Sequence, residues 1–284
     1  MARDVTFDGT GRLRLHGTLT EPTGHAPRKG AALVVHGFDD HSGRYGEVVA
    51  RLVGLGLTTL AFDYRGHGRS EGKRGHCDRF DDYLGDVDAA IAVLRAEAGD
   101  VAKLALVGHS HGSLVLLRAL CEPARAPRGV AGVVLFSPFL GIALKVNPLK
   151  EGLARALNRL LPRVGIPTGI PASTLSHDAE RVRAAGSDPL RHGVATPRWL
   201  AEAEAAQAFV LEHAPALAVP SLWQVAGDDQ LASVAATQRF IERAGGEKTL
   251  HLYDGLAHEV WNERDADRVR VLDDLTAWLA PRFA

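Results

Sequence analysis

Six short apolar runs, Ala31 to Val35, Leu57 to Phe62, Leu104 to Val107, Val130 to Phe136, Ser221 to Ala226 and Thr249 to Tyr253, recur along the chain with helix-length segments between most of them. Runs that are continuous rather than alternating require a sheet covered on both faces, the condition of parallel strands joined by crossover helices. The pattern predicts a doubly wound α/β core with ligands gathered at the carboxyl ends of its strands. Ahead of these runs, Val5-Thr6-Phe7 and Leu13-Arg14-Leu15 alternate apolar with polar around Asp8-Gly9-Thr10-Gly11, as an antiparallel hairpin does. At the far end, Val271, Leu272, Leu275, Trp278 and Leu279 share one face of a closing helix, Asp265 to Leu279.

One stretch interrupts the rhythm. From Pro138 to Val219 no strand run is evident, prolines recur (Pro148, Pro162, Pro167, Pro171, Pro189, Pro197) and apolar residues are plentiful. The expected organisation is a core of residues 1–137 and 220–284 with residues 138–219 inserted as a helical cap, and 284 residues at 46% hydrophobic content suffice for it. Leu149, Leu153, Leu157, Leu160 and Leu161 form a helical stripe, with Lys150, Arg155, Arg159 and Arg163 on or near the opposite side. That pattern suits either a helix packed on the core with a solvated basic face or a lid over an apolar pocket. Between Lys145 and Arg163 five basic residues face only Glu151, a local surplus that also suits transient contact with an anionic lipid or micelle surface.

Globally the charges balance, 33 Lys plus Arg against 34 Asp plus Glu, so nothing points to nucleic acid. Met1 to Phe7 lacks the apolar stretch of a secretion signal and no segment approaches the roughly 20 apolar residues of a membrane span, so a cytoplasmic protein is expected. Cys77 and Cys121 have neither metal-ligand spacing nor the density of a disulfide framework and read as free thiols.

Chemistry enters at Gly108-His109-Ser110-His111-Gly112, a G-x-S-x-G pattern between the apolar run ending at Val107 and the apolar segment Leu114 to Leu120. A strand turning this sharply into a helix leaves the serine exposed at the tip, and the two glycines remove side chains that would collide there. A serine hydroxyl is a weak nucleophile at neutral pH and needs a base, which in turn needs an acid to fix its tautomer. His258, in Tyr253-Asp254-Gly255-Leu256-Ala257-His258-Glu259, follows the last strand run and precedes the closing helix, where a loop can lean over Ser110. Position selects it from 13 histidines. His251 falls inside the strand, while His177, His192 and His213 fall in the cap, where surface exposure is expected. After Leu222 to Ala226, Gly227-Asp228-Asp229-Gln230 offers two adjacent carboxylates, of which one can be aimed at the base. An oxyanion would be met by two backbone amides, His111 after the nucleophile and Phe38 in His36-Gly37-Phe38 at the end of an earlier strand.

Three blocks, H-G-x-x-x-H-S-G-R-Y at His36 to Tyr45, Phe62-Asp63-Tyr64-Arg65-Gly66-His67-Gly68-Arg69-Ser70-Glu71-Gly72, and the elbow at Gly108 to Ser113, together with Gly227 to Gln230 and His258, resemble the monoacylglycerol lipase and lysophospholipase-type serine hydrolases of the α/β-hydrolase superfamily. The resemblance implies an α/β-hydrolase fold, a triad of Ser110, Asp229 and His258, oxyanion donors at Phe38 and His111, no cofactor and no metal. Asp229 is preferred to Asp228 because the family's aspartate is followed by one residue and a short apolar step, here Gln230-Leu231. The expected activity is hydrolysis of a monoacylglycerol-type lipid ester through an acyl-enzyme, with a lysophospholipase, a serine aminopeptidase or amidase, and a ligand-binding receptor as alternatives. The chain departs from the family at Asp39, commonly glycine, at Asp40, commonly glutamate, and at His111-Gly112-Ser113, often Met-Gly-Gly. If position 39 needs positive φ, aspartate takes it with strain. The charged residues of the Asp63 to Gly72 block read as braces of a tight turn rather than as catalysts.

Overall fold

In the computed structural model, which describes residues 1–23, 28–99, 103–143 and 157–284, eight strands form one sheet. They are β1 (Ala2–Asp8), β2 (Arg14–Thr20), β3 (Gly30–Val35), β4 (Leu57–Asp63), β5 (Leu104–His109), β6 (Val130–Phe136), β7 (Ser221–Ala226) and β8 (Lys248–Tyr253), in the spatial order β1-β2-β4-β3-β5-β6-β7-β8. The first two are an antiparallel hairpin whose second strand also runs antiparallel to β4, and every later neighbour is parallel. The runs of β3 to β7 have the cause inferred from them, whereas β8 lies at the sheet edge and leaves Leu250 and Leu252 exposed, so its run does not mark a strand covered on both faces. In β3, Ala31, Leu33 and Val35 enter one core layer and Ala32 and Val34 the other, so no face is left for polar residues. One layer is closed by α1 (Gly46–Gly54) and α7 (Asp265–Leu279), the other by α2 (Asp81–Ala98), α3 (His111–Leu120) and residues of α5 (Pro197–Glu212) and α6 (Val234–Arg243). This mostly parallel sheet between helices is the α/β-hydrolase fold.

Between β6 and β7 the described residues hold a helical turn at 157–160, α4 (Ala179–Ser187) and α5. A two-residue ladder, Ile166–Pro167 against Val194–Ala195, corrects the expectation of no strand there. Of the leucine stripe, Leu149 and Leu153 lie outside the described residues, as do Lys145, Lys150, Glu151 and Arg155. Leu160 and Leu161 turn to solvent instead of packing inward, 77% and 50% exposed. No helix among the described residues is long and apolar enough to cross a membrane.

Candidate active site

Ser110 stands between β5 and α3 with φ 49° and ψ −115°, a left-handed conformation that costs a non-glycine residue about 1–3 kcal/mol. The surroundings enforce it. The Ser110 amide donates to the Phe136 carbonyl at 2.9 Å, and the Ser110 carbonyl accepts from Phe139 at 3.1 Å and Leu114 at 3.2 Å. A Cβ at Gly112 would lie 2.3 Å from the carbonyl oxygens of Val35 and His36, so only glycine lets α3 approach the end of β3.

His258 follows β8 on a loop pinned by two bonds: the Ala257 amide donates to Glu263 at 2.7 Å and the Glu259 amide to the Leu175 carbonyl at 2.8 Å. Its Nδ1 lies 2.7 Å from Asp229 Oδ2. The other Asp229 oxygen accepts from the Leu231 and Ala232 amides at 2.8 and 2.9 Å, which fixes the carboxylate before it meets the imidazole. Only 1% of the Asp229 side chain is exposed, whereas Asp228 faces solvent. Burial disfavours the imidazolium of His258, but the charge and hydrogen bond of Asp229, with Glu259 and Asp40 beyond it, outweigh burial and raise its pKa above 6.5.

Ser110, His111, Phe38 and His258 all line one cavity at the carboxyl ends of the strands. Among the described residues, no acceptor takes the Phe38 or His111 amide hydrogen. One wall is apolar, built from Phe139, Ile142, Leu175, Trp199, Leu200 and Leu231. The rest of the lining carries charge that sequence reasoning did not place there. Arg44 donates to both oxygens of Glu259 at 2.7 Å and to Asp40 Oδ1 at 2.9 Å, Tyr45 donates to Asp40 Oδ2 at 2.7 Å, and Asn262 donates to Glu259 at 2.8 Å. Burial opposes the Asp40 charge, but Arg44 and nearby His36 and His109 hold its carboxyl far below the usual range. The sequence signals were present, since Arg44 belongs to the H-S-G-R-Y block and Glu259 adjoins His258, but nothing local says that two segments 215 residues apart share a guanidinium.

Asp39 does take positive φ, 55°. The side chain compensates the strain: Oδ1 accepts from the His192 and Gly193 amides at 2.6 and 2.7 Å, and Oδ2 from Arg191 at 2.8 Å, while the Asp39 carbonyl accepts a second Arg191 bond at 2.8 Å. This aspartate ties the Phe38 loop to the β6–β7 connection, which a glycine there could not do. His192, expected at the surface, has a side chain only 5% exposed because it packs edge-on against Phe38 at 5.3 Å and beside His67 at 4.7 Å. His177, 45% exposed and bound to Glu263, and His251, bound to Asp274, lie elsewhere.

The charged residues of the Asp63 to Gly72 block are structural braces, one within the turn and the others tying it to neighbouring segments. Asp63 accepts from the Ser42 and Arg69 amides at 2.7 and 2.9 Å, Arg65 grips Asp86 with two bonds of 2.7 Å, and Glu71 accepts from the Arg14 amide at 2.8 Å. Cys77 and Cys121 are buried free thiols with pKa values pushed up by burial to about 12, far from thiolate chemistry. No group of metal-binding side chains occurs among the described residues.

Comparison with known proteins identifies the family. The family model for "Serine aminopeptidase, S33" matches residues 26–265. A monoacylglycerol lipase of Mycolicibacterium smegmatis is 31% identical over 277 residues, covering 96% of this chain and 95% of the lipase. A Bacillus subtilis phospholipase is 29% identical over 239 residues, covering 84% and 90%. The crystal structure of a Paleococcus ferrophilus monoacylglycerol lipase superposes with a TM-score of 0.82 at 27% identity, covering 94% of this chain and 99% of that one. The chain is thus a member of the serine aminopeptidase S33 family of α/β-hydrolases.

Proposed function

We propose that the protein hydrolyses the ester of a neutral single-chain lipid, a monoacylglycerol, through an acyl-enzyme on Ser110. His258 Nε2 takes the Ser110 proton as Oγ attacks the ester carbonyl, while Asp229 holds the Nδ1 proton and stabilises the imidazolium. The Phe38 and His111 amides meet the oxyanion. His258 then gives its proton to the departing glycerol oxygen; water, deprotonated by the same imidazole, attacks the acyl-serine, and the imidazolium returns that proton to Ser110 Oγ as the acyl–oxygen bond breaks and the fatty acid is released. His258 must be neutral to start, so kcat/KM falls as pH drops through its raised pKa.

One observation carries the choice of a neutral substrate: the charges of the cavity wall are spent on each other. Both lining guanidinium groups, Arg44 and Arg191, are bound to carboxylates, and each oxygen of Asp39, Asp40 and Glu259 already accepts a hydrogen bond. Among the described lining residues, both guanidinium groups are paired and three carboxylates outnumber them, which disfavours the phosphate of a lysophospholipid, and every carboxylate oxygen is already hydrogen-bonded, which disfavours the amine of an aminopeptidase substrate. A glycerol head group is uncharged, and the apolar wall suits an acyl chain. Leu160, Leu161, Val164 and Ile166 of the β6–β7 connection are exposed, as are Ile142 and Ile170 at the cavity, and we read transient contact with a membrane or micelle through these apolar side chains.

Turnover of a monoacylglycerol should exceed that of an anionic lysophospholipid of the same chain length by at least about tenfold in kcat/KM, since one like-charge juxtaposition costs more than the corresponding free energy. It should exceed that of an aminoacyl arylamide further, with every rate lost in Ser110→Ala. Faster cleavage of the lysophospholipid or the arylamide would replace this substrate with that one.

A further inference from the structure

Gly37 is held on both sides of its backbone. Its amide donates to Tyr45 Oη at 3.2 Å, and its carbonyl oxygen lies 2.7 Å from both Tyr64 Oη and His36 Nδ1. His36 Nε2 accepts from the Tyr64 amide at 3.4 Å, so the His36 proton sits on Nδ1 and is donated to the Gly37 carbonyl. A trans peptide points its N–H away from its C=O. Two donors that fix the Gly37 carbonyl in the interior therefore aim the Phe38 amide the other way, and Phe38 lines the cavity.

The same network runs through His111. The Trp199 indole donates to His111 Nε2 at 3.3 Å, and His111 Nδ1 lies 3.2 Å from Tyr64 Oη. An indole N–H can only donate, so His111 carries its own proton on Nδ1 and donates it in a hydrogen bond to Tyr64 Oη, leaving the Tyr64 hydroxyl hydrogen for Gly37. Burial, with neighbouring His36, holds the His111 pKa down at about 3, which preserves the neutral ring. Trp199 also stacks on the Phe38 ring, centroids 3.7 Å apart and planes 23° from parallel. It is held there by the start of α5, where the Thr196 hydroxyl accepts from the Trp199 amide at 3.2 Å and Pro197 occupies the first turn.

We propose that Trp199 is a positioning residue for the oxyanion hole, holding Phe38 by its ring face and the His111–Tyr64–Gly37 chain by its N–H, so that one side chain from the β6–β7 connection sets both amide donors. The inference rests on the acyl-transfer reading of Ser110. Trp199 also lines the acyl wall, and a short ester separates the two roles, because an acetyl group is too small to fill that wall.

The test measures kcat on p-nitrophenyl acetate and on a long-chain p-nitrophenyl ester for Trp199→Phe, Tyr64→Phe and the double variant. Enzyme concentration is taken from fluorophosphonate-labelled sites, so loss of folded protein does not enter. Losing one amide donor outright costs about 100-fold or more, and mispositioning it should lower kcat by about tenfold on both esters. The double variant should be no slower than about either single one, since a chain is broken once. Should Trp199→Phe fail to fold, Tyr64→Phe, which deletes only a hydroxyl, carries the test. Unchanged kcat per labelled site, a loss confined to the long ester, or a double variant equal to the product of the singles overturns the inference. Turnover persisting in Ser110→Ala would instead overturn the reading beneath it.

Discussion

Asp229→Ala lowers kcat by about 10⁴-fold, the scale set by triad acids elsewhere, while Asp228→Ala leaves it within about twofold, as surface substitutions do. The two residues are adjacent and chemically identical, so the contrast isolates geometry. Asp229 presents Oδ2 to His258 at 2.7 Å with its other oxygen fixed by two amides; Asp228 is solvated. Without the carboxylate, His258 keeps neither the tautomer that exposes Nε2 as a base nor the counter-charge for the imidazolium. Asp229→Asn keeps the shape but not the charge, and should lose nearly as much. Steady-state rates on one ester, with enzyme concentration taken from fluorophosphonate labelling, decide it. Activity in Asp229→Ala with loss in Asp228→Ala reverses the assignment.

Arg44→Ala should be the most destabilising exchange in the cavity wall, costing about 3–5 kcal/mol, because it strands two carboxylates. Asp40 and Glu259 are buried, at 3% and 2% exposure, and both lean on this one guanidinium. The loss reads out in urea unfolding. A second consequence is electrostatic. Asp40 and Glu259 already raise the His258 pKa, and without the neutralising arginine they raise it further. Since the base must be neutral, the acid limb of kcat/KM, above pH 6.5 in the wild type, moves to higher pH in Arg44→Ala. Glu259→Gln removes one of those charges and moves the limb down. A limb that shifts the other way in either variant, or an Arg44→Ala protein as stable as wild type, contradicts this picture of the wall.

The core was legible because its cause is local. A strand buried on both faces is mostly apolar, and β3 to β7 announce themselves that way, with Thr58, Thr59, Ser221 and Gln224 as buried polar exceptions. β8 was legible for a different reason: it lies at the sheet edge with Leu250 and Leu252 exposed, and its apolar content together with its place before the closing helix identified it. The elbow was legible because its glycines answer steric demands: Gly112 lets α3 approach the end of β3, and Gly108 leaves room for Ser113 and Leu116 of α3. Less visible were the groups whose meaning depends on distant segments. Arg44 meets Glu259 from 215 residues away and Asp39 meets Arg191 from 152. His192 looked like a surface residue because nothing in its neighbourhood shows that Phe38 and His67 cover it. Trp199 carried no signal beyond the Thr196-Pro197 start of its helix. The departure at Asp39 was readable as strain, but its compensation lies across the fold in the amides of His192 and Gly193.

Everything proposed about chemistry passes through one covalent intermediate. Incubation with a long-chain p-nitrophenyl ester, acid quenching within the first turnover and mass spectrometry of the digested protein would find it. The account predicts one acyl group per chain on the peptide containing Ser110, appearing with a stoichiometric burst of nitrophenol and absent from Ser110→Ala. An adduct on another residue, or steady hydrolysis by Ser110→Ala at the wild-type rate, would contradict it.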